Sequence, residues 1–125
     1  MLKLLLVSRK IDSLSGLSMA LRGQGDIELE VSPSGEEALA RLSGKAFDLV
    51  VADENLGDMT ALELSRRLLK INPMINCAVV SSLSPEEFHE ASEGLGIMTQ
   101  LPQDPGAKDA DMLISTLKQI KGMLT

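Results

Sequence analysis

Residues 47–61 have the sequence FDLVVADENLGDMTA, and this stretch decides the fold. Its apolar run, Leu49–Ala52, is short, continuous and rich in valine, which is typical of a strand buried on both faces. The run ends at Asp53, and a polar loop follows. Thr60 then begins a capping box with Glu63, in which a hydroxyl accepts a hydrogen bond from the third helical amide. The stretch therefore predicts a buried strand, a polar loop and the start of a helix.

The same unit recurs along the whole chain. Short apolar or alternating runs predict four more strands, at Leu4–Val7, Ile27–Val31, Ala78–Val80 and, more weakly, Ile97–Leu101. The glutamates that alternate in the second of these runs favour a position near the edge of a sheet. Apolar stripes of helical period follow each strand, at Leu14, Leu17 and Leu21; at Ala38, Leu39 and Leu42; at Leu64, Leu68 and Ile71; at Phe88, Ala91 and Leu95; and at Ala110, Leu113, Leu117, Ile120 and Leu124. Further capping boxes occur at Ser34 with Glu37 and at Ser84 with Glu87.

Five alternating strands and helices predict one α/β domain over residues 1–125. Each parallel crossover needs a helix and is right-handed, so the natural architecture is a doubly wound, five-stranded parallel sheet. In such sheets ligands bind beyond the carboxyl ends of the strands, near the switch in strand order. Candidate functional residues are therefore those that follow the strands.

The composition limits the classes of function. The chain has 125 residues, of which 44% are hydrophobic and 24% charged, which suffices for the core of one domain. Its net charge of -6 argues against direct binding to DNA or RNA, which requires clustered lysines and arginines. The single cysteine, Cys77, is expected to be a small buried hydrophobe. The apolar run Leu4–Val7 is too short for a membrane span or a signal peptide, so we expect a cytoplasmic protein.

Residues 47–61 resemble the segment of bacterial response-regulator receiver domains in which a hydrophobic strand ends at the phosphoacceptor aspartate. The loop after that aspartate matches the family at Leu56, Met59 and Thr60. It departs from the family at Gly57, where a proline is usual, and at Ala61, where a glycine is usual. The resemblance extends over the whole chain, through residues 3–7, 35–39, 79–82 and 94–102. It implies the (βα)5 flavodoxin-like receiver fold and a role in two-component signal transduction.

The resemblance also implies a functional site. In the family, two acids after the first strand and the acceptor aspartate hold Mg2+, a lysine after the fifth strand pairs with one phosphoryl oxygen, and a Thr or Ser hydroxyl receives another. These roles fall on Ser8 and Arg9, on Asp53, on Leu101 and on Ser81, respectively. Only the aspartate and the hydroxyl keep the family's chemistry. We therefore expect a degenerate site with no catalytic residue.

Arg9 changes the electrostatics expected around Asp53. A standard site carries three carboxylates and one ammonium, whereas the charges of Asp53 and Arg9 cancel. Two unit charges about 4 Å apart attract by roughly 4 kcal/mol at an effective dielectric near 20, which favours an ion pair between Arg9 and Asp53. The alternative is that the long side chain of Arg9 extends away from the cleft into solvent. Asn55 offers its backbone carbonyl, as that position does in the family, but one carboxylate and one carbonyl make a poor octahedral site. We expect no cofactor and at most weak binding of Mg2+.

Several other residues have a position that bears on function. Asp12, Glu54 and Asp58 are acids that are candidates to replace the missing pair, although Asp12 also stands where a helix cap is expected. His89 has glutamates around it and is predicted to lie on a solvated helix face. Met98 occupies a position where many receivers carry an aromatic residue that changes rotamer, so that output switch is not expected here.

Three functions remain open. The favoured one is a pseudo-receiver that acts through protein-protein interaction. Its partner is a histidine kinase, an output domain or a second receiver, including a homodimer through the fourth helix, the fifth strand and the fifth helix. The second is a receiver that a histidine kinase still phosphorylates at Asp53, with Arg9 contacting the phosphate. The third is a flavodoxin-like small enzyme or nucleotide binder, which the absence of glycine-rich phosphate-binding motifs disfavours. We expect no enzymatic activity and no association with a membrane.

Overall fold

The computed structural model describes residues 2–122 and places five strands in one sheet. The strands are β1 (Leu2–Val7), β2 (Ile27–Ser32), β3 (Leu49–Ala52), β4 (Asn76–Val80) and β5 (Ile97–Leu101). The helices are α1 (Ser15–Arg22), α2 (Gly35–Gly44), α3 (Ala61–Ile71), α4 (Pro85–Ser92) and α5 (Ala107–Ile120), and a 3-10 helix, Ile11–Leu14, precedes α1. All neighbouring strands are parallel, in the order β2-β1-β3-β4-β5. The predicted parallel α/β sheet is confirmed, with β2 at an edge. None of the helices within residues 2–122 is long and apolar enough to cross a membrane.

Two hydrophobic cores cover the two faces of the sheet. Leu4 and Leu6 of β1 pack with residues of α1 and α5, whereas Leu5 and Val7 pack with residues of α2, α3 and α4. All four side chains are fully buried, which explains why the run carries no polar residue. Burying each of them contributes roughly 1.5–3 kcal/mol. Cys77 of β4 lies in the second core and is 5% exposed, as expected for a small hydrophobe.

The three predicted capping boxes all stand at the start of a helix. Each hydroxyl accepts a hydrogen bond of 3.2 Å from the amide three residues later: Ser34 from Glu37, Thr60 from Glu63 and Ser84 from Glu87. Of these three glutamates, Glu87 alone returns a bond, of 3.3 Å, from the amide of Ser84. Glu37 and Glu63 pair with arginines one turn later instead. The boxes therefore mark where α2, α3 and α4 begin, although two of them are only half formed.

Exposed residues occur near the ends of three predicted apolar stripes. Ile71, at the end of α3, is 45% exposed, and Ile120, at the end of α5, is 54% exposed. Helix α4 is shorter than its stripe, because glycines with positive φ follow it; Ala91 is exposed, and Leu95 is buried in the loop beyond the helix. Leu124, the last residue of the fifth stripe, lies outside the described residues. Helical period thus predicted the core-facing turns correctly and the last turns wrongly.

Candidate functional site

Two adjoining cavities open at the carboxyl ends of the strands. The first, of about 180 Å³, is lined by Arg9, Lys10, Ser13, Asp53, Glu54, Asn55 and Gln103. The second, of about 190 Å³, is lined by Ser13, Asp53, Val80, Gln103 and Asp104. They lie where β1 and β3 are neighbours, which is the point at which the strand order reverses. Asp53 borders both cavities and is therefore the centre of the site.

The carboxylate of Asp53 is half-buried and has two hydrogen-bond partners. Ser8 Oγ donates to Asp53 Oδ2 at 2.9 Å, and the amide of Glu54 donates to Asp53 Oδ1 at 2.9 Å. Ser8 follows β1 and is 2% exposed, and its hydroxyl also lies 2.7 Å from the carbonyl of Lys10. Because a hydroxyl has one proton, Ser8 donates to the carboxylate or to the carbonyl, one at a time. Asp53 is thus bound by a neutral side chain and a backbone amide.

Arg9 does not pair with Asp53, so the predicted ion pair is wrong and the alternative, a solvated side chain, is found. Among the described residues, the ion pairs do not include Arg9. Its side chain is exposed and passes over Gly57, where an added Cβ would lie 2.9 Å from Arg9 Cδ. Ser8 and the backbone already satisfy the carboxylate, so the guanidinium avoids the cost of desolvation by remaining in water. Arg9 therefore lines the first cavity, and the side chain that binds Asp53 is that of Ser8.

Glu54 has the largest set of polar partners at this edge of the sheet. Its Oε2 accepts bonds of 2.9 Å from both the amide and the hydroxyl of Ser82, and its Oε1 accepts one of 3.1 Å from Gln103 Nε2. These bonds, above all the one from the Ser82 amide, hold the pKa of Glu54 below its ordinary value. Glu54, Ser82 and Gln103 follow β3, β4 and β5, so one carboxylate joins three strand ends. Gln103 was not among the residues predicted from the sequence.

The hydroxyl of Ser81 is engaged within its own loop. Ser81 is 8% exposed, and its Oγ accepts a bond of 3.2 Å from the amide of Leu83. Gln100 Nε2 donates to the carbonyls of the same two residues, at 3.3 and 2.8 Å. Ser81 also lines a third cavity, of about 190 Å³, with Glu54, Thr60, Ala61, Leu62, Val79, Val80 and Leu83. This arrangement fixes the start of the loop between β4 and α4.

Leu101 lies in the hydrophobic core and lines neither Asp53 cavity, which corrects its predicted place in the pocket. The pairing of β4 with β5 shifts between Cys77 and Ala78, and the new register sets Leu101 opposite Val80. Paired residues on parallel strands point to the same face of a sheet, and Val80 belongs to the core beneath α1 and α5. Leu101 therefore points into that core and is fully buried. The residues beyond β5 that reach the cavities are Gln103, which lines both, and Asp104, which lines the second.

The remaining acids and Asn55 have local structural contacts. Asn55 Oδ1 accepts a bond of 2.9 Å from the amide of Gly57. Asp58 accepts bonds of 3.1 and 2.9 Å from the first two amides of α2, and the second of these, from Glu36, is the main cause of its lowered pKa. Asp12 is exposed within the 3-10 helix and caps no helix among the described residues, which corrects that prediction. Neither Asp12 nor Asp58 lines the Asp53 cavities.

The side chains around Asp53 do not fit the Mg2+ that the receiver resemblance implies. The two acid positions hold Ser8 and Arg9, and the carboxylate of Glu54 is bound by Ser82 and Gln103. Within residues 2–122, no three His, Cys, Asp or Glu side chains come together in a way that would hold a metal ion. Mg2+ requires a near-ideal octahedron of oxygens, usually with more than one carboxylate or phosphate. The residues around Asp53 therefore do not support a mechanism that depends on a bound metal ion.

No protein-family model matches the chain, whereas two curated proteins described next are similar to it in sequence. Over 103 residues the chain is 29% identical to a response regulator receiver protein of Anaeromyxobacter sp. (strain Fw109-5), covering 82% of this chain and 43% of that protein. Over 84 residues it is 29% identical to the transcriptional regulatory protein ZraR of Salmonella typhimurium, covering 67% of this chain and 19% of that protein. The chain thus spans less than half the length of these curated relatives.

Solved structures share the fold over nearly the whole chain. A CheY-like response regulator receiver domain protein from Methanospirillum hungatei JF-1 has a TM-score of 0.85 at 21% identity and covers 99% of each chain. A response regulator receiver domain protein from Clostridium thermocellum has a TM-score of 0.83 at 18% identity, over 100% of each chain. At such identities the structures establish the fold. The chain therefore has the fold of CheY-like receiver domains, and its sequence is similar to that of a response regulator receiver protein.

Proposed function

We propose that this receiver is a pseudo-receiver, which signals through protein-protein interaction without Mg2+-dependent phosphorylation of Asp53. The observation that carries the proposal is the hydrogen bond of 2.9 Å between the Ser8 hydroxyl and Asp53 Oδ2. It places a neutral group where an active site needs a second acid. The acid after β1 that would share a divalent cation with Asp53 is therefore absent.

The charges around the first cavity support the same proposal. Asp53 and Glu54 contribute two carboxylates to its lining, and Arg9 and Lys10 contribute two cationic side chains. The charges balance, so the cavity offers no net attraction to a divalent cation. The carboxylate of Glu54 also accepts two hydrogen bonds from Ser82, which it would lose if it turned to bind a metal ion. We propose that the protein has no resident cofactor and no enzymatic activity of its own.

The proposal includes the binding partner of the protein and its location in the cell. The partner is a protein: a histidine kinase, an output domain or a second receiver. Helix α4, strand β5 and helix α5 together form the face that we propose for a homodimer, because β5 is an edge strand between two helices. The curated relative ZraR is a transcriptional regulatory protein, which supports an output of that kind in the pathway of this receiver. We place the protein in the cytoplasm, where two-component receivers meet their kinases.

A phosphodonor experiment tests the proposal. The protein is incubated with Mg2+ and a small-molecule phosphodonor, or with beryllofluoride, and followed by intact-mass spectrometry and amide NMR. We expect an unchanged mass and unchanged amide shifts around Asp53. Asp53→Asn is the matched control, since it removes the acceptor and retains the shape of the side chain. An acyl phosphate that forms within minutes in wild type and is absent from Asp53→Asn would overturn the pseudo-receiver proposal.

A second candidate function is phosphorylation of Asp53 by a dedicated histidine kinase. It is favoured by one observation: Arg9 lines the same cavity as Asp53 and makes no ion pair among the described residues. A carboxylate oxygen of Asp53 would attack the phosphorus of the phosphohistidine, and the imidazole would leave. The new phosphoryl group carries nearly two negative charges, which an arginine stabilises. Phosphotransfer that Arg9→Ala slows would support this candidate.

A further inference from the structure

Glu54 connects loops that the sheet alone leaves separate. Ser82 belongs to the loop between β4 and α4, and Gln103 belongs to the loop after β5. The carboxylate of Glu54 receives two bonds from Ser82, both 2.9 Å, and one of 3.1 Å from Gln103. Hydrogen bonds to an ionised acceptor are roughly twice as strong as neutral ones. These three bonds therefore hold both loops against the end of β3.

Helix α4 depends on this loop, because it has little packing of its own. Of its eight residues, Phe88 alone is buried. Elements with few buried apolar contacts open most readily in native proteins. Other bonds join the loop to β5 through neutral groups: Gln100 Nε2 donates to the carbonyls of Ser81 and Leu83, and the amide of Ser81 donates to the carbonyl of Leu101. Glu54 supplies the charged attachment between the start of α4 and the body of the sheet.

We propose that Glu54 is a positioning residue, whose carboxylate acts as an internal anion that fixes the β4–α4 loop, and with it α4, in the unmodified protein. This inference rests on the proposed function, since a receiver that signals without phosphorylation needs another source of one fixed conformation. Glu54 lies one residue after Asp53 and accepts hydrogen bonds from the loops that follow β4 and β5. The order of α4 is then independent of any charge added to Asp53.

Amide hydrogen exchange on the full chain tests the proposal. Exchange is measured by NMR for wild type, Glu54→Ala and Glu54→Gln, with Glu90→Gln as a control that removes an exposed acid from α4. Glu54→Ala is expected to speed exchange of the Ser82 amide and of the α4 amides about tenfold or more. Core amides of β1 and β3 should stay within about twofold of wild type. Glu54→Gln keeps one oxygen acceptor without the charge and should fall between wild type and Glu54→Ala.

Two further variants keep the proposal falsifiable. Gln103→Ala removes one of the three bonds and leaves Glu54 in place, so it should give a smaller increase in exchange at the same amides, even if Glu54→Ala fails to fold. Asp53→Asn changes the neighbouring acid and should leave exchange in α4 at the wild-type rate. Equal exchange of the Ser82 and α4 amides in wild type and in both Glu54→Gln and Gln103→Ala would overturn the proposal, as would an equal increase throughout the core.

The outcome separates this proposal from the proposed function. The exchange measurement uses neither Mg2+ nor a phosphodonor. An acyl phosphate at Asp53 would overturn the pseudo-receiver proposal, whereas faster exchange in Glu54→Ala would still support the role of Glu54. Wild-type exchange in the Glu54 variants, together with an unphosphorylated Asp53, would overturn the role of Glu54 alone.

Discussion

The hydroxyl of Ser8 lies 2.9 Å from Oδ2 of Asp53, across the junction of β1 and β3 where the strand order reverses. Ser8 is 2% exposed, so its side chain is directed into the protein and not into solvent. A serine in this place satisfies the carboxylate and contributes no charge. The same geometry means that an acid substituted for Ser8 would face Asp53 directly.

Restoring the two acids after β1 should restore a metal site. Ser8→Asp/Arg9→Asp would add two carboxylates to those of Asp53 and Glu54, and we expect an affinity for Mg2+ at least about tenfold above that of wild type. An NMR titration of the amides around Asp53 with MgCl2 measures this affinity. Ser8→Asn/Arg9→Asn is the control, since it has the same shapes without the charges. Equal Mg2+ affinity in all three proteins would show that missing carboxylates are not what weakens the site.

A lysine placed at Leu101 should damage the fold before it supplies any function. Leu101 is fully buried in the core beneath α1 and α5, so Leu101→Lys would bury an unpaired charge. We expect its free energy of unfolding to fall by about 3–5 kcal/mol. Gln119→Lys is the matched control: Gln119 is exposed on α5, so the loss should stay within about 0.5 kcal/mol. Urea unfolding compares the two, and similar losses would contradict the burial of Leu101.

The parts of the fold that follow from local pattern could be predicted from the sequence. Leu4–Val7 and Leu49–Ala52 are apolar at every position because both faces of a central strand are covered, and this signal does not depend on distant residues. The position of Asp53 followed from the same signal, since it is the first polar residue after its strand. Ile71 and Ile120 fitted a helical period equally well and are nevertheless exposed, because period does not show where the neighbouring layer ends.

The contacts of the site depended on geometry that no pattern carries. The resemblance to receivers put Leu101 in the pocket, whereas the shifted pairing between β4 and β5 sets it opposite Val80, in the core. The bonds from Ser82 and Gln103 to Glu54 join three loops that are distant in sequence, so neither spacing nor composition reveals them. The ion pair predicted between Arg9 and Asp53 was wrong for a related reason. Opposite charges make an ion pair possible, but the path of a long flexible side chain decides whether it forms.

Cys77 should be inert to alkylation in the folded protein. Its thiol is 5% exposed, and burial raises its pKa to about 11. Because the thiolate is the reactive form, alkylation by iodoacetamide near pH 8 should be at least about two orders of magnitude slower than that of a free cysteine. Mass spectrometry over time measures the rate, and the same protein in concentrated urea provides the fully reactive reference. Comparable rates in the two states would contradict the burial of this thiol.

Glu54 should make the stability of the domain depend on acid pH. Folding lowers the pKa of Glu54 below its ordinary value of 4.5, chiefly because the Ser82 amide donates a hydrogen bond to the carboxylate. A carboxylate with a lowered pKa stabilises the fold above its unfolded pKa, and this contribution disappears as the pH falls through the folded pKa. The loss of stability in Glu54→Gln should therefore be constant between about pH 7 and 5.5 and shrink below about pH 4.5. Urea unfolding across that range measures it, with Glu90→Gln as the exposed control. A loss that stays constant into acid would mean that folding does not lower this pKa.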